Sequence, residues 1–180
     1  RKVDESIVAL RKAVKIGPNF AVAHNKLGYI FQQIKNVDES IYYYQKAIQI
    51  KPDFILAHHN LGNIFKEIGK IEESIKSYQR IIQIDTNYVA AYNNLAKLFI
   101  DIGKVDDARK CFRKLFSLEP NNIEYKINNG LLVTPIVHSN KEINLFRKEY
   151  IKNLKRLGKY KYPTENPGSS IETNFFYLTF

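Results

Sequence analysis

The stretch at residues 55–86, ILAHHNLGNIFKEIGKIEESIKSYQRIIQIDT, decides the fold, because the chain repeats it. Moved back by 34 residues it lies on 21–52, and moved forward by 34 it lies on 89–120. Leu27, Leu61 and Leu95 then coincide, as do Gly28, Gly62 and Ala96, and Phe31, Phe65 and Phe99. Ser40, Ser74 and Ala108 fall in the same register, and so do Tyr44, Tyr78 and Phe112. A helix-breaking position recurs as Pro18, Pro52, Thr86 and Pro120. So many matched positions at one period mark a repeat architecture with one helix–turn–helix unit per period.

Each matched position has a physical role. Small residues on both helices of a unit let the two backbones approach closely where they cross. Leu, Phe and Tyr spaced three or four apart form one apolar face per helix. Proline ends the second helix, because it lacks an N–H and clashes with the preceding turn. A single unit cannot bury its faces, whereas a stack can.

The spacing predicts second helices over 3–15, 37–50, 71–84 and 105–117, and first helices over 19–34, 53–68 and 87–102. Asn19, Asp53, Asn87 and Asn121 recur at the start of first helices, where short polar side chains can accept from free N–H groups. Gly69 and Gly103 suit left-handed positions ending first helices, with Asn36 near that place in the first unit. VDES at 3–6 matches VDES at 37–40, so the chain opens just before a second helix whose own first helix is missing. The apolar positions Ile7, Leu10 and Val14 are then expected to be uncovered and to drive self-association. A decaying first helix is expected over 122–133, with Gly130 at the small position and Asn129 in place of Leu. Beyond it come a loop at 134–140 and an amphipathic helix at 141–157, carrying Ile143, Phe146, Tyr150, Ile151, Leu154 and Leu157, suited to cap the stack. A linker at 158–170 and a β-prone stretch at 171–180 follow, the latter ending as though a fold continued.

This pattern resembles the tetratricopeptide repeat over residues 1–133. That family's tryptophan position holds His24, His58 and Tyr92 here. The resemblance implies an all-α fold: a right-handed superhelix, an α-α solenoid, with a capping helix and an extended tail. The expected organisation is repeats at 1–133, loop and cap at 134–157, and linker plus the start of a truncated downstream domain at 158–180. Such repeats serve as scaffolds for many partners.

A second resemblance lies in LLVTPIVHSNKEINLFRKEYIKNLKRL at 131–157 and TNFFYLTF at 173–180. These look like the segment joining repeats to the catalytic domain in SPINDLY-type proteins, relatives of the O-linked N-acetylglucosamine transferases. The repeat stretches KPDFILAHHNLGNIFKE and YVAAYNNLAKLF are similar to those of that family. The resemblance implies that the chain is the substrate-recognition arm of a larger protein O-glycosyltransferase. The catalytic residues of that family lie further on, so none is assigned here and the chain itself is read as non-enzymatic. A free-standing assembly scaffold without an attached enzyme is the alternative.

Composition narrows the remaining classes. The 180 residues are 44% hydrophobic and 26% charged, the make-up of a folded domain. No apolar run approaches the roughly 18–20 residues of a membrane span, so no membrane partner is expected. No signal-peptide pattern opens the chain, and its first residue is Arg, which reads as a piece of something longer. Cys111 is the one cysteine, which excludes an internal disulfide and points to a reducing, cytoplasmic setting. It reads as a packing thiol, because a catalytic one would need a basic neighbour. The net charge is +10, and 141–161 carries eight Lys/Arg against Glu142 and Glu149. That run reads as a solvated helix face. Nucleic acid is disfavoured, because the repeats show no interleaved aromatics at exposed positions.

The first helices should line a concave groove. Just before the repeated Leu stand Lys26, Asn60, Asn94 and, continuing the register, Asn128. In the transferase family this position carries an asparagine ladder that holds peptide backbone; Asn60, Asn94 and Asn128 match it and Lys26 interrupts it. An amide offers donor and acceptor together, which suits backbone recognition, and a hydrophilic helix face is the competing reading. Asn25, Tyr29, His59, Asn63, Asn93 and Lys97 are further groove candidates. Asn25 and Tyr29 stand where a carboxylate clamp of co-chaperone repeats has Lys and Asn, so that clamp is not expected. No metal site is expected at His58 and His59, since adjacent helical residues do not face one another. No cofactor is expected either, because no Gly-rich phosphate loop or triad signature occurs.

Overall fold

The computed structural model describes residues 2–122 together with 124, 125, 128, 148, 151, 152 and 155. Residues 129–147 and 158–180, where the sequence predicts the loop, the linker and the strand, lie outside the described residues. So does most of the expected capping helix, of which 148, 151, 152 and 155 are helical.

Seven α-helices occur among the described residues: α1 Lys2–Ile16, α2 Ala21–Gln33, α3 Val37–Ile50, α4 Ile55–Glu67, α5 Ile71–Ile84, α6 Val89–Asp101 and α7 Val105–Leu118. They follow the 34-residue period, so the fold is an all-α helical-repeat solenoid. The chain divides into two compact units, residues 1–91 and 92–180, with the division inside α6.

In the first unit α2 packs on α3 and α4 on α5, and α3 also packs on α4. The repeated small residues lie where the helices meet. An added Cβ at Gly28 would stand 2.6 Å from Cδ1 of Tyr44, and one at Gly62 would stand 2.9 Å from Cζ of Tyr78. The phenol rings lie directly on the glycine backbone. Ser40 Oγ donates to Gly28 O at 2.8 Å and Ser74 Oγ donates to Gly62 O at 2.8 Å, tying each pair of helices at the same point. Tyr44 then packs with Leu61, Ile64 and Phe65 of the next helix pair, which continues the core along the stack.

α1 differs from the expectation drawn from sequence. Ile7, Leu10 and Val14 are half-buried against Leu27, Phe31 and Tyr43 of α2 and α3. They pack on the following helix pair, as the register positions Ile41 and Ile48 of α3 do on α4. The exposed large apolar residues of α1 are instead Val3, Val8 and Ile16.

The turns also correct the capping assignments. First helices begin two residues later than predicted, and the N-cap residues of α2 and α4 are Phe20 and Phe54, with no side-chain cap bond. The preceding segment is a backbone turn closed by Phe54 N–H to Lys51 O at 3.0 Å, and equally by Phe20 to Gly17 O. Pro52 and Pro18 take the second position of that turn, where proline's fixed φ is favoured. Asn19 and Asp53 therefore sit one residue too early to cap. The turn before α6 is fastened by Asp85, whose Oδ1 accepts from Asn87 N–H at 2.9 Å. At the last turn Asn122, not Asn121, accepts from the N–H groups of Glu124 and Tyr125.

The ends of first helices share one motif. Lys35, Gly69 and Gly103 have φ of 60°, 75° and 72°. Each donates its N–H back to a helix carbonyl, and the next residue donates to the carbonyl one position earlier: Gly103 to Ile100 O and Lys104 to Phe99 O. This closes the last turn of the helix. Lys35 holds the left-handed place in the first unit, at a steric cost glycine avoids. Asn36 instead caps α3, its Oδ1 accepting from Glu39 N–H at 3.3 Å.

In the second unit Leu95, Ala96, Leu98 and Phe99 of α6 are buried, with Ala108, Cys111, Phe112 and Leu115 of α7. Burial pushes the Cys111 thiol up to about 11, which keeps it protonated and unreactive.

Candidate functional site

The groove candidates are distributed over both units. In the first, α2 and α4 lie side by side. Two side-chain bridges at 35-residue spacing link them: Asn60 Nδ2 donates to Asn25 Oδ1 at 3.2 Å, and Gln32 Nε2 donates to the Glu67 carboxylate at 3.3 Å. Asn25 is only 4% exposed, so it is a buried support for the Asn60 amide and not a free groove residue. An asparagine on the core side of a helix needs a partner, and the neighbouring amide supplies it. With one N–H held by Asn25, the amide of half-buried Asn60 has a fixed orientation.

Residues on the same stripe remain open. Val22, Lys26 and Tyr29 stand at i, i+4 and i+7 on α2, and Leu56, Asn60 and Asn63 take the matching places on α4. Lys26 and Tyr29 are exposed. Val22 and Leu56 are also exposed, at 44% and 49%, and sequence reasoning missed both. The available signal was their shared register off the core face.

Asn63 and His59 belong to a chain of bonds that begins in the core. Tyr78 Oη donates to Asn63 Oδ1 at 2.6 Å, and Asn63 Nδ2 lies 3.3 Å from His59 Nδ1. The second contact requires that Nδ1 accept, placing the proton of the neutral ring on Nε2. The His59 ring stands edge-on to Tyr78 and Tyr88. Desolvation lowers its pKa below the ordinary 6.5, and burial raises that of Tyr78 to about 12. His58 faces the other way. It is buried, and its Nε2 meets Pro52 O at 3.0 Å, a contact that His24 repeats with Pro18 O at 3.1 Å. The two histidines at the tryptophan position thus fasten α2 and α4 to the turns before them.

In the second unit Asn93 Nδ2 donates to Tyr125 Oη at 2.6 Å. Asn94 and Asn128 are half-buried and Lys97 is exposed. No group of His, Cys, Asp and Glu among the described residues could hold a metal ion, and no helix among them is long and apolar enough to cross a membrane.

Charge is sorted between the two kinds of helix. Every second helix carries two acids in its first turn: Asp4 and Glu5, Asp38 and Glu39, Glu72 and Glu73, Asp106 and Asp107. There they complement the helix dipole. The first turns of α2, α4 and α6 carry none.

Stacked helical pairs with an open, amide-lined first-helix stripe define a helical-repeat solenoid of the protein-interaction class. Comparison with known proteins identifies which one. A TPR repeat family model matches residues 33–69 and 62–103, and a tetratricopeptide repeat model matches 89–122. Together they span 33–122, half of the 180 residues, and the chain belongs to the tetratricopeptide-repeat family. Among solved structures it is similar to a crystal structure of MamA, at 25% identity and TM-score 0.65, covering 88% of this chain and 92% of that one. A second crystal structure of MamA protein shares 23% identity at TM-score 0.65, covering 90% of this chain and 88% of the other. No curated protein matches the chain in sequence.

Proposed function

We propose that this chain is a protein-binding scaffold that takes an extended segment of a partner along the first-helix stripe of α2 and α4. The observation that carries this reading is the Asn60 amide, oriented by buried Asn25 at the edge of an otherwise open surface. Binding by a side chain already held in place avoids the cost of ordering it. Asn94 and Asn128 hold the same sequence register as Asn60 in the second unit, where Asn93 and Lys97 are the remaining candidates. The chain's resemblance to a glycosyltransferase arm has no support in the comparisons, and the segments that carry it lie mostly outside the described residues. The scaffold reading stands without it. A reducing, cytoplasmic setting is proposed on the single ground that Cys111 is the only cysteine.

The test uses two tyrosines of nearly equal exposure, Tyr29 at 52% on the stripe and Tyr42 at 51% on α3. A randomised peptide library displayed on phage is selected on the full chain. The enriched peptides are then photo-crosslinked to variants carrying benzoylphenylalanine at position 29 or 42. Adducts at 29 and not at 42 are expected. Adducts confined to 42, or no enriched peptide at all, would overturn the reading.

A further inference from the structure

The charge on the stripe points to the kind of segment it takes, an inference that rests on the scaffold reading above. α2 has no carboxylate, and the one carboxylate of α4, Glu67, is engaged by Gln32. Lys26 stands exposed in the middle of the stripe with no ion-pair partner among the described residues. One turn towards the N-terminus the exposed aliphatics Val22 and Leu56 hold matching positions on the two helices. On the other side of Lys26 is the exposed ring of Tyr29. The surface therefore reads, along the helices, as aliphatic, then cationic beside a fixed amide, then aromatic.

We propose that this stripe recognises an extended acidic peptide in which an aliphatic side chain and a carboxylate stand two residues apart. The spacing agrees. Val22 and Lys26 are four residues apart on a helix, about 6 Å along its axis. Side chains on one side of an extended chain recur about every 6.6 Å. An aliphatic residue seated on Val22 and Leu56 thus brings the residue two further on over Lys26, where a carboxylate meets an unneutralised cation. Asn60 lies beside that point to meet the peptide backbone. A nucleic acid fits less well: α2 and α4 together offer few cations, and exposed Val22 and Leu56 have nothing to gain from phosphate.

The experiment compares phage-displayed peptide selections on the wild-type chain and on Lys26→Glu, an exposed substitution whose folding is verified by thermal melting. The wild type should enrich peptides with an aliphatic residue two positions from Asp or Glu. Lys26→Glu should bind these about five- to tenfold more weakly. It should itself enrich peptides with Lys or Arg at the acidic place. A single-stranded oligonucleotide serves as competitor in both. Enriched peptides with no acidic preference, or the same consensus for both proteins, would overturn the inference and leave the scaffold reading standing. Displacement of peptide by the oligonucleotide at low concentration would overturn it in favour of a nucleic-acid ligand. Failure to enrich any peptide would overturn both.

Discussion

The two units use the same register and close their helix pairs by different means. In the first, each pair is joined by a Gly–Ser–Tyr set: Gly28, Ser40 and Tyr44, then Gly62, Ser74 and Tyr78. Each serine donates to the glycine carbonyl, and each tyrosine hydroxyl reaches a side-chain amide, Gln32 or Asn63. In the second unit the same places hold Ala96, Ala108 and Phe112, all buried. The amides vanish with the hydroxyls, because Asn63 corresponds to Lys97 and Gln32 to Ile100. A buried phenol needs a partner, so Tyr and its amide are kept or lost together. The polar tie is thus a matched set that the fold can replace with apolar packing, and the first unit keeps it where its open stripe meets the core.

Glycine substitution gives the largest test of that contrast. Gly28→Ala would place a methyl group within 2.6–3.0 Å of the Tyr44 ring, which is fully buried and held by Gln32. Overpacking of this kind costs about 1–3 kcal/mol, against a gain of about 1 kcal/mol in helix propensity. A net loss near 1 kcal/mol is expected in a denaturant titration. The reciprocal change, Ala96→Gly, should cost about 0.5–1 kcal/mol through backbone entropy. Stabilisation by Gly28→Ala would show that close approach is not what the glycine serves.

Most of this architecture was legible in the sequence, because a 34-residue period fixes the small and aromatic positions without reference to any distant contact. The bounds of α3 and α5 follow the predicted ranges. First-helix starts did not, because the backbone turn 51–54 closes itself and moves the N-cap to Phe54. The face of α1 was misread for a related reason. Periodicity shows that Ile7, Leu10 and Val14 share a side, but not whether the preceding or the following unit covers it. At the candidate site, Lys26 and Tyr29 could be read from register as open positions. The burial of Asn25 could not, since it depends on an amide 35 residues away. Exposed Val22 and Leu56 escaped notice because apolar residues are assigned to a core by default.

An effect of similar size distinguishes the ends of the first helices. Lys35 takes at the end of α2 the left-handed place that Gly69 takes at the end of α4 and Gly103 at the end of α6. Such a conformation costs a residue with a Cβ about 1–2 kcal/mol. Lys35→Gly should therefore stabilise the chain by about 1 kcal/mol, and Gly103→Ala should destabilise it by a similar amount, both read from thermal melts. A lower melting temperature for Lys35→Gly would show that the lysine side chain contributes more than its backbone strain costs.

The smallest expected difference is in pH dependence, and it sets α4 apart from α6. His58 and His59 of α4 have their register counterparts in Tyr92 and Asn93, so α6 carries no imidazole. Desolvation lowers the pKa of both histidines below the ordinary 6.5. The unfolded chain therefore binds protons at a pH where the folded one does not. The stability these rings contribute is fully present above 6.5 and is lost as pH falls from there through the lowered folded values. For His59 protonation also removes the acceptor that meets Asn63, because Nδ1 gains a proton. Carboxylates titrate lower, so a comparison at about pH 7.5 and about pH 5.5 isolates the imidazoles. Amide exchange, corrected for its intrinsic pH dependence, should lose protection in α4 on acidification and keep it in α6. A His58→Gln, His59→Asn variant should remove the difference. Equal loss in α4 and α6, or a loss that survives in the variant, would show that these rings do not set the acid response.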